Sequence, residues 1–179
     1  VANEPEVYQA AGLEMRPDAR EGAGALGGIL TALYWARERG AEAALVVACD
    51  MPFVSVSLLR ALLSERETTA ENEAAGMPPD VVAPESGGRR GVEPLCALYA
   101  VACIEPIERA LDRGDLRVIS FFGDVVVRAL PLEQVRAFGE PAVLFMNVNT
   151  PEERERAEQI AAGLASGART AGTGREQTA

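Results

Sequence analysis

Asp50 is the residue in this sequence most suited to chemistry. It closes the apolar run Leu45 to Cys49 and is followed by Met51 and Pro52, so a strand ends on a carboxylate at a sharp turn. A carboxylate there can hold Mg²⁺, a hard cation that takes one or two carboxylates and fills its remaining positions with phosphate oxygens and water. The same Asp also serves a plainer purpose as a turn former ahead of Pro52. Two further groups invite a chemical reading. The run "GAGALGG", residues 22 to 28, lets a ligand approach the backbone and leads into a helix whose N-terminus carries partial positive charge. Its spacing is neither a Walker motif nor GxGxxG, and an ordinary loop reads the same way. Asn147 and Asn149, two apart in an apolar stretch, place two carboxamides on one face if that stretch is a strand. They either face a ligand or tie the strand to the next helix. Arg89 and Arg90 lie in a glycine turn, as an attractor of anions or as a solvated loop.

What is missing narrows the chemistry. There is no histidine, and all 17 basic residues are Arg, so Schiff-base chemistry and lysine phosphate ligation are excluded within these residues. Acid-base work falls to carboxylates, and phosphate binding to Arg, backbone N–H groups or a metal. An aspartate at a strand end also suits the phospho-acceptor of a receiver domain, but such domains use a later lysine. A net charge of −10 argues against a nucleic-acid surface or an anionic membrane and for small-molecule substrates. Cys49, Cys96 and Cys103 have neither disulfide-framework nor zinc spacing, which suits a reducing cytoplasm. No apolar run reaches the length of a membrane span.

These groups need elements to position them. In 179 residues, 48% of them hydrophobic, strand-like runs alternate with amphipathic ones, the pattern of an α/β domain with a core of useful size. Residues 4–12 read as a short helix, and 13–18 as a short strand ending at Asp18. Leu26, Ile29, Leu33 and Ala36 recur at helical spacing, with Gly40 closing the helix. Residues 43–49 read as a parallel strand buried on both faces. A helix follows from Ser55, then a polar loop over 67–79. Two strands, 80–86 and 93–99, flank "GGRRG". Residues 101–114 read as a helix, 118–123 as more helix, 125–131 as a strand and 142–149 as the last strand. Thr150 as N-cap, Pro151 at the first helical position and Glu153 form a capping box. The expected fold is a Rossmann-like three-layer α/β/α sandwich with a mostly parallel sheet, in a domain spanning 1–162, followed by a disordered tail over 163–179. In such folds ligands bind beyond the carboxyl ends of the strands, which is where Asp50 falls.

Taken in order, "VANEPEVYQAAGL", "GALGGILTAL", "VVACDMPFVS", "EPLCALY" and "FMNVNTPEE" resemble the molybdenum cofactor guanylyltransferases, the molybdopterin-guanine dinucleotide biosynthesis protein A family, over residues 1 to about 160. The resemblance implies a nucleotidyltransferase fold and transfer of GMP from GTP to molybdopterin with Mg²⁺ and release of pyrophosphate. It makes Asp50 the metal-binding and catalytic acid. Asn3 and Asp18 match the guanine and ribose side, Gly24 and Gly28 the glycine loop, and Asn147 and Asn149 the pterin-phosphate side. It also implies, as partners, other proteins of molybdenum cofactor synthesis and recipient molybdoenzymes. The sequence departs from the family in one respect: a first strand and a loop resembling LAGGxSxRMGxDK are absent. The domain is therefore expected to be incomplete at its N-terminus, and the 179 residues alone are expected to be inactive. A cofactor cytidylyltransferase, another small nucleotidyltransferase, and a non-catalytic remnant that binds molybdopterin or a partner protein are the alternative readings; "GALGG" and "CDMP" favour the guanylyl branch.

Overall fold

The structure is a computed structural model that describes residue 1 and residues 12–71, 77–88 and 91–172. The expected helix over 4–12, with Asn3 before it, lies almost wholly outside the described residues, as do Arg89 and Arg90. A four-stranded sheet in the order β1-β3-β2-β4 forms the middle layer, built from β1 (Ala43–Val47), β2 (Val81–Pro84), β3 (Cys96–Ala100) and β4 (Val127–Leu130). β3 runs antiparallel to both of its neighbours, and β2 pairs in parallel with β4. Three of the four strands therefore point the same way. The carboxyl ends of β1, β2 and β4 share one end of the sheet with the start of β3.

Strand alternation builds two cores. Val81, Ala83, Ala97 and Tyr99 project to one face, where they meet Leu26, Ile29, Leu30 and Leu33 of α1 (Gly24–Glu38) and Ile107, Ala110 and Leu111 of α3 (Ile104–Asp112). Val82, Cys96 and Leu98 project to the other face. There they pack with Leu58 and Leu62 of α2 (Val56–Glu71), Val135 of α4 (Leu132–Arg136) and Leu144 of α5 (Pro141–Leu144). These layers are the expected α/β/α sandwich, and the 3-4 spacing of Leu26, Ile29 and Leu33 marked the buried face of α1 correctly.

Several elements differ from expectation, each for a physical reason. Among the described residues β1 pairs with β3 alone, antiparallel; its first four residues are half-buried and Val47 is exposed, so its lack of polar alternation did not report burial on both faces. Residues 13–18 form no strand: Pro17 cannot donate to a ladder, and the segment docks on α1 instead. Glu14 pairs with Arg39 and Arg16 with Glu38, while the guanidinium groups of Arg16 and Arg39 each lie 4.9 Å from the Trp35 ring. α2 continues to Glu71, into the expected loop. Residues 118–123 form turns leading into a 3₁₀ turn, Phe122–Asp124, rather than a helix. The expected last strand is replaced by α5, begun by Pro141 with its φ preset for a helix, and by irregular chain over 145–149. Finally, α6 (Pro151–Gly172) is regular helix well past residue 163, where a tail was expected.

Candidate active site

The sharpest juxtaposition in the molecule joins two of the residues singled out from the sequence. The amide Nδ2 of Asn149 donates to Oδ2 of Asp50 at 3.2 Å, and the backbone N–H of Val148 donates to the carbonyl of Asp50 at 2.9 Å. The loop before α6 is thereby fastened to the turn after β1 by one backbone and one side-chain bond. The Asp50 turn is anchored on both sides: Ala48 N–H donates to the Leu95 carbonyl at 2.8 Å, and the Met51 side chain is buried against the second core. Ser55 then caps α2 through the N–H of Leu58 at 3.2 Å.

The capping box is present and does more than cap. Glu153 N–H donates to Thr150 Oγ1 at 3.2 Å, while Oε2 of Glu153 accepts from the N–H groups of both Thr150, at 3.0 Å, and Asn149, at 2.8 Å. Two surface cavities of about 530 and 480 Å³ flank this corner and share Val148, Arg154 and Glu158 in their linings; the second also includes Cys49, Asp50 and Phe53. Arg154 is held by its own helix, donating from Nε to Glu158 at 3.2 Å.

α1 brings the glycine loop to the same end of the sheet. It packs on β1 and returns to it through the tight turn at Gly40, so its N-terminus lies at the end where β1 delivers Asp50. Gly24 opens the helix with φ +59°, a conformation costly for any residue with a Cβ. The N-cap, Ala23, has no side chain able to cap the first turn. A Cβ on Gly27 would stand 2.6 Å from the Cβ of Ala23, so this position is closed to larger residues. Gly28 is roomier, with the nearest atom to such a Cβ being Oδ1 of Asp18 at 3.8 Å. Asp18 thus sits beside the glycine run on a loop, not at a strand end.

Sequence reasoning missed the residue that holds this loop. Thr31, buried in α1, donates to the Gly27 carbonyl at 2.8 Å and accepts from the N–H of Ala19 at 2.8 Å. It splices the segment after Asp18 to the first turn of the helix. A threonine within an apolar helical face was the available signal. Asn147, expected on one strand face with Asn149, is exposed in irregular chain, and only Asn149 reaches Asp50.

Among the described residues no group of three or more His, Cys, Asp or Glu side chains is arranged to hold a metal. Nor does any Arg pair with Asp50 among the described ion pairs. A single half-buried carboxylate with one oxygen engaged by a neutral amide suits a cation that arrives with phosphate oxygens of its own, as Mg²⁺ does. The buried thiols are unsuited to such work, since burial pushes Cys96 and Cys103 each up to about 12.

The family model of the MobA-like NTP transferase domain matches residues 1–125. The chain belongs to this family. A molybdenum cofactor guanylyltransferase of Desulfosudis oleivorans is 35% identical over 158 residues, covering 88% of this chain and 71% of the relative. A probable molybdenum cofactor guanylyltransferase of Pelotomaculum thermopropionicum is 35% identical over 156 residues, covering 87% and 69%. Among solved structures, molybdopterin-guanine dinucleotide biosynthesis protein A from Archaeoglobus fulgidus superposes with a TM-score of 0.68 at 30% identity, covering 89% of this chain and 75% of that one.

Proposed function

We propose that this protein is a molybdenum cofactor guanylyltransferase that transfers GMP from GTP to molybdopterin and releases pyrophosphate. The observation that carries the reading is the Asp50–Asn149 contact at the carboxyl end of β1, in a chain whose relatives bear that name. In the reaction a terminal phosphate oxygen of molybdopterin forms a bond to the α-phosphorus of GTP in line, and the bond from that phosphorus to the β-phosphate oxygen breaks. No covalent enzyme intermediate is needed, so catalysis rests on positioning and charge neutralisation. Asp50 would hold Mg²⁺, which when bound offsets the negative charge of the triphosphate. Asn149, donating to Oδ2 of Asp50, would orient the carboxylate that holds the cation. The uncapped first turn of α1 and the glycines at 24 and 28 give the nucleotide a close approach to backbone N–H groups. Asp18 and Asn3 belong to the guanine and ribose side, and Asn147 to the acceptor side with Asn149. The free thiols suit the cytoplasm, where molybdopterin and recipient molybdoenzymes are the corresponding partners.

The test is product analysis. Full-length protein incubated with molybdopterin, GTP and Mg²⁺ is expected to form the guanine dinucleotide, identified by mass, and to form none of the cytosine dinucleotide with CTP. Equal use of CTP would move the protein to the cytidylyl branch, and no product with either nucleotide would favour a binding role without turnover.

A further inference from the structure

We infer that Glu153 is a positioning residue for the reaction, acting through Asn149 on Asp50. The inference rests on the reading of Asp50 as the metal-binding acid. A capping box needs the N3 carboxylate only to satisfy the N-cap N–H. Here the same oxygen, Oε2, reaches one residue further and accepts from Asn149 as well, at 2.8 Å against 3.0 Å for Thr150. Asn149 is the residue whose side chain donates to Asp50, 99 positions away in the chain.

The segment between α5 and α6 has no ladder to hold it, because residues 146–149 belong to no helix or strand. Phe145 packs on the second core and Met146 N–H donates to the Val143 carbonyl at 3.1 Å, and beyond them the placement of residues 147–149 depends on a few discrete bonds: Val148 N–H to the Asp50 carbonyl, the Asn149 amide to the Asp50 carboxylate, and the paired N–H groups to Glu153. Removing Glu153 frees the backbone of Asn149 to rotate, and the side-chain amide then loses its fixed approach to Oδ2. Groups that orient a metal-binding carboxylate typically change metal affinity or activity by about 10- to 100-fold when lost. Glu153 acts one bond further out, so the lower end of that range applies.

The experiment uses the full-length protein and four changes: Glu153→Ala, Glu153→Gln, Asn149→Ala and the double Glu153→Ala/Asn149→Ala. Asp50→Asn is measured in parallel. Glu153→Ala is expected to lower kcat about tenfold and to weaken Mn²⁺ binding in the presence of GTP, read by electron paramagnetic resonance, by a similar factor, with the KM for GTP within about twofold. Glu153→Gln should restore most of both, because a single amide oxygen can accept from both N–H groups. In the Asn149→Ala background the Glu153→Ala change should cost no more than about twofold further, since the two act as one unit. A Glu153→Ala enzyme with a lowered melting temperature but unchanged kcat and Mn²⁺ affinity would reduce Glu153 to a helix cap and overturn the inference. Full multiplicative losses in the double variant would overturn it too. If Asp50→Asn itself retained normal turnover and Mn²⁺ affinity, the reading beneath it would fall and take the inference with it.

Discussion

Asp50→Asn in the full-length protein is expected to lower magnesium-dependent guanylyl transfer by on the order of 10²- to 10³-fold while the protein stays folded. The change keeps the side chain's shape and removes its charge. The Val148 bond to the backbone carbonyl does not involve the side chain, and the new amide oxygen can still accept from Asn149. Stability should therefore shift by about 1 kcal/mol or less, because Asn serves a turn nearly as well as Asp. The rate is another matter. An anion facing a divalent ion and a triphosphate in a partly water-excluded corner contributes roughly 3 to 4 kcal/mol to the transition state, by comparison with other preorganised electrostatic groups. Measuring kcat across a magnesium titration, with melting temperature as the folding control, separates the roles. A stable variant with undiminished turnover and an unchanged magnesium requirement would leave Asp50 as a turn former only.

Phe121→Ala is expected to cost about 3 to 5 kcal/mol of folding stability, a large part of the roughly 5 to 15 kcal/mol that a domain possesses. The Phe121 side chain is fully buried, with its ring centroid 6.2 Å from that of Tyr99 and 5.2 Å, edge-on, from that of Phe122. Truncation removes the transfer energy and leaves a cavity bordered by strands that cannot collapse far. The loss also bears on the site. Tyr99 donates its hydroxyl to the Pro94 carbonyl at 2.5 Å, so the aromatic cluster holds the turn ahead of β3 at the site end of the sheet. Urea denaturation should show a lower midpoint at constant slope, and Phe121→Leu should recover a good part of the loss. A cost under about 1 kcal/mol for the alanine variant would mean that the ring is not packed as described.

The parts of this molecule that could be read from the chain are those set by local rules. The face of α1 followed from Leu26, Ile29 and Leu33, and the capping box followed from Thr150, Pro151 and Glu153 alone. The strands around "GGRRG" were marked by the turn between them; β2 and β3 pair antiparallel, and Gly87 and Gly91 at positive φ serve the connection. What could not be read was set by partners distant in sequence. The apolar run of β1 looks the same whether a strand pairs in parallel with its neighbour or, as with β3 here, antiparallel. The stretch 142–149 has a strand's composition, yet Pro141 starts a helical turn and the remainder docks on Asp50 through isolated bonds rather than a ladder. Asp50 and Asn149 were each visible as residues, but their contact was not, because no local pattern links positions so far apart. The reach of Glu153 to Asn149 was hidden for a similar reason: the motif announces the cap, and only the fold supplies the loop's second task.

The most direct measurement of the central claim follows the two ends of the triphosphate. Full-length protein is supplied with molybdopterin, Mg²⁺ and GTP labelled with ³²P at the α position in one reaction and at the γ position in another. The account predicts that the α label enters the pterin product with one-to-one stoichiometry while the γ label leaves as pyrophosphate, and that both processes fail together in Asp50→Asn. Release of the γ label as inorganic phosphate, with the α label remaining in GDP, would contradict it, because the chemistry would then be hydrolysis at the terminal phosphate rather than guanylyl transfer.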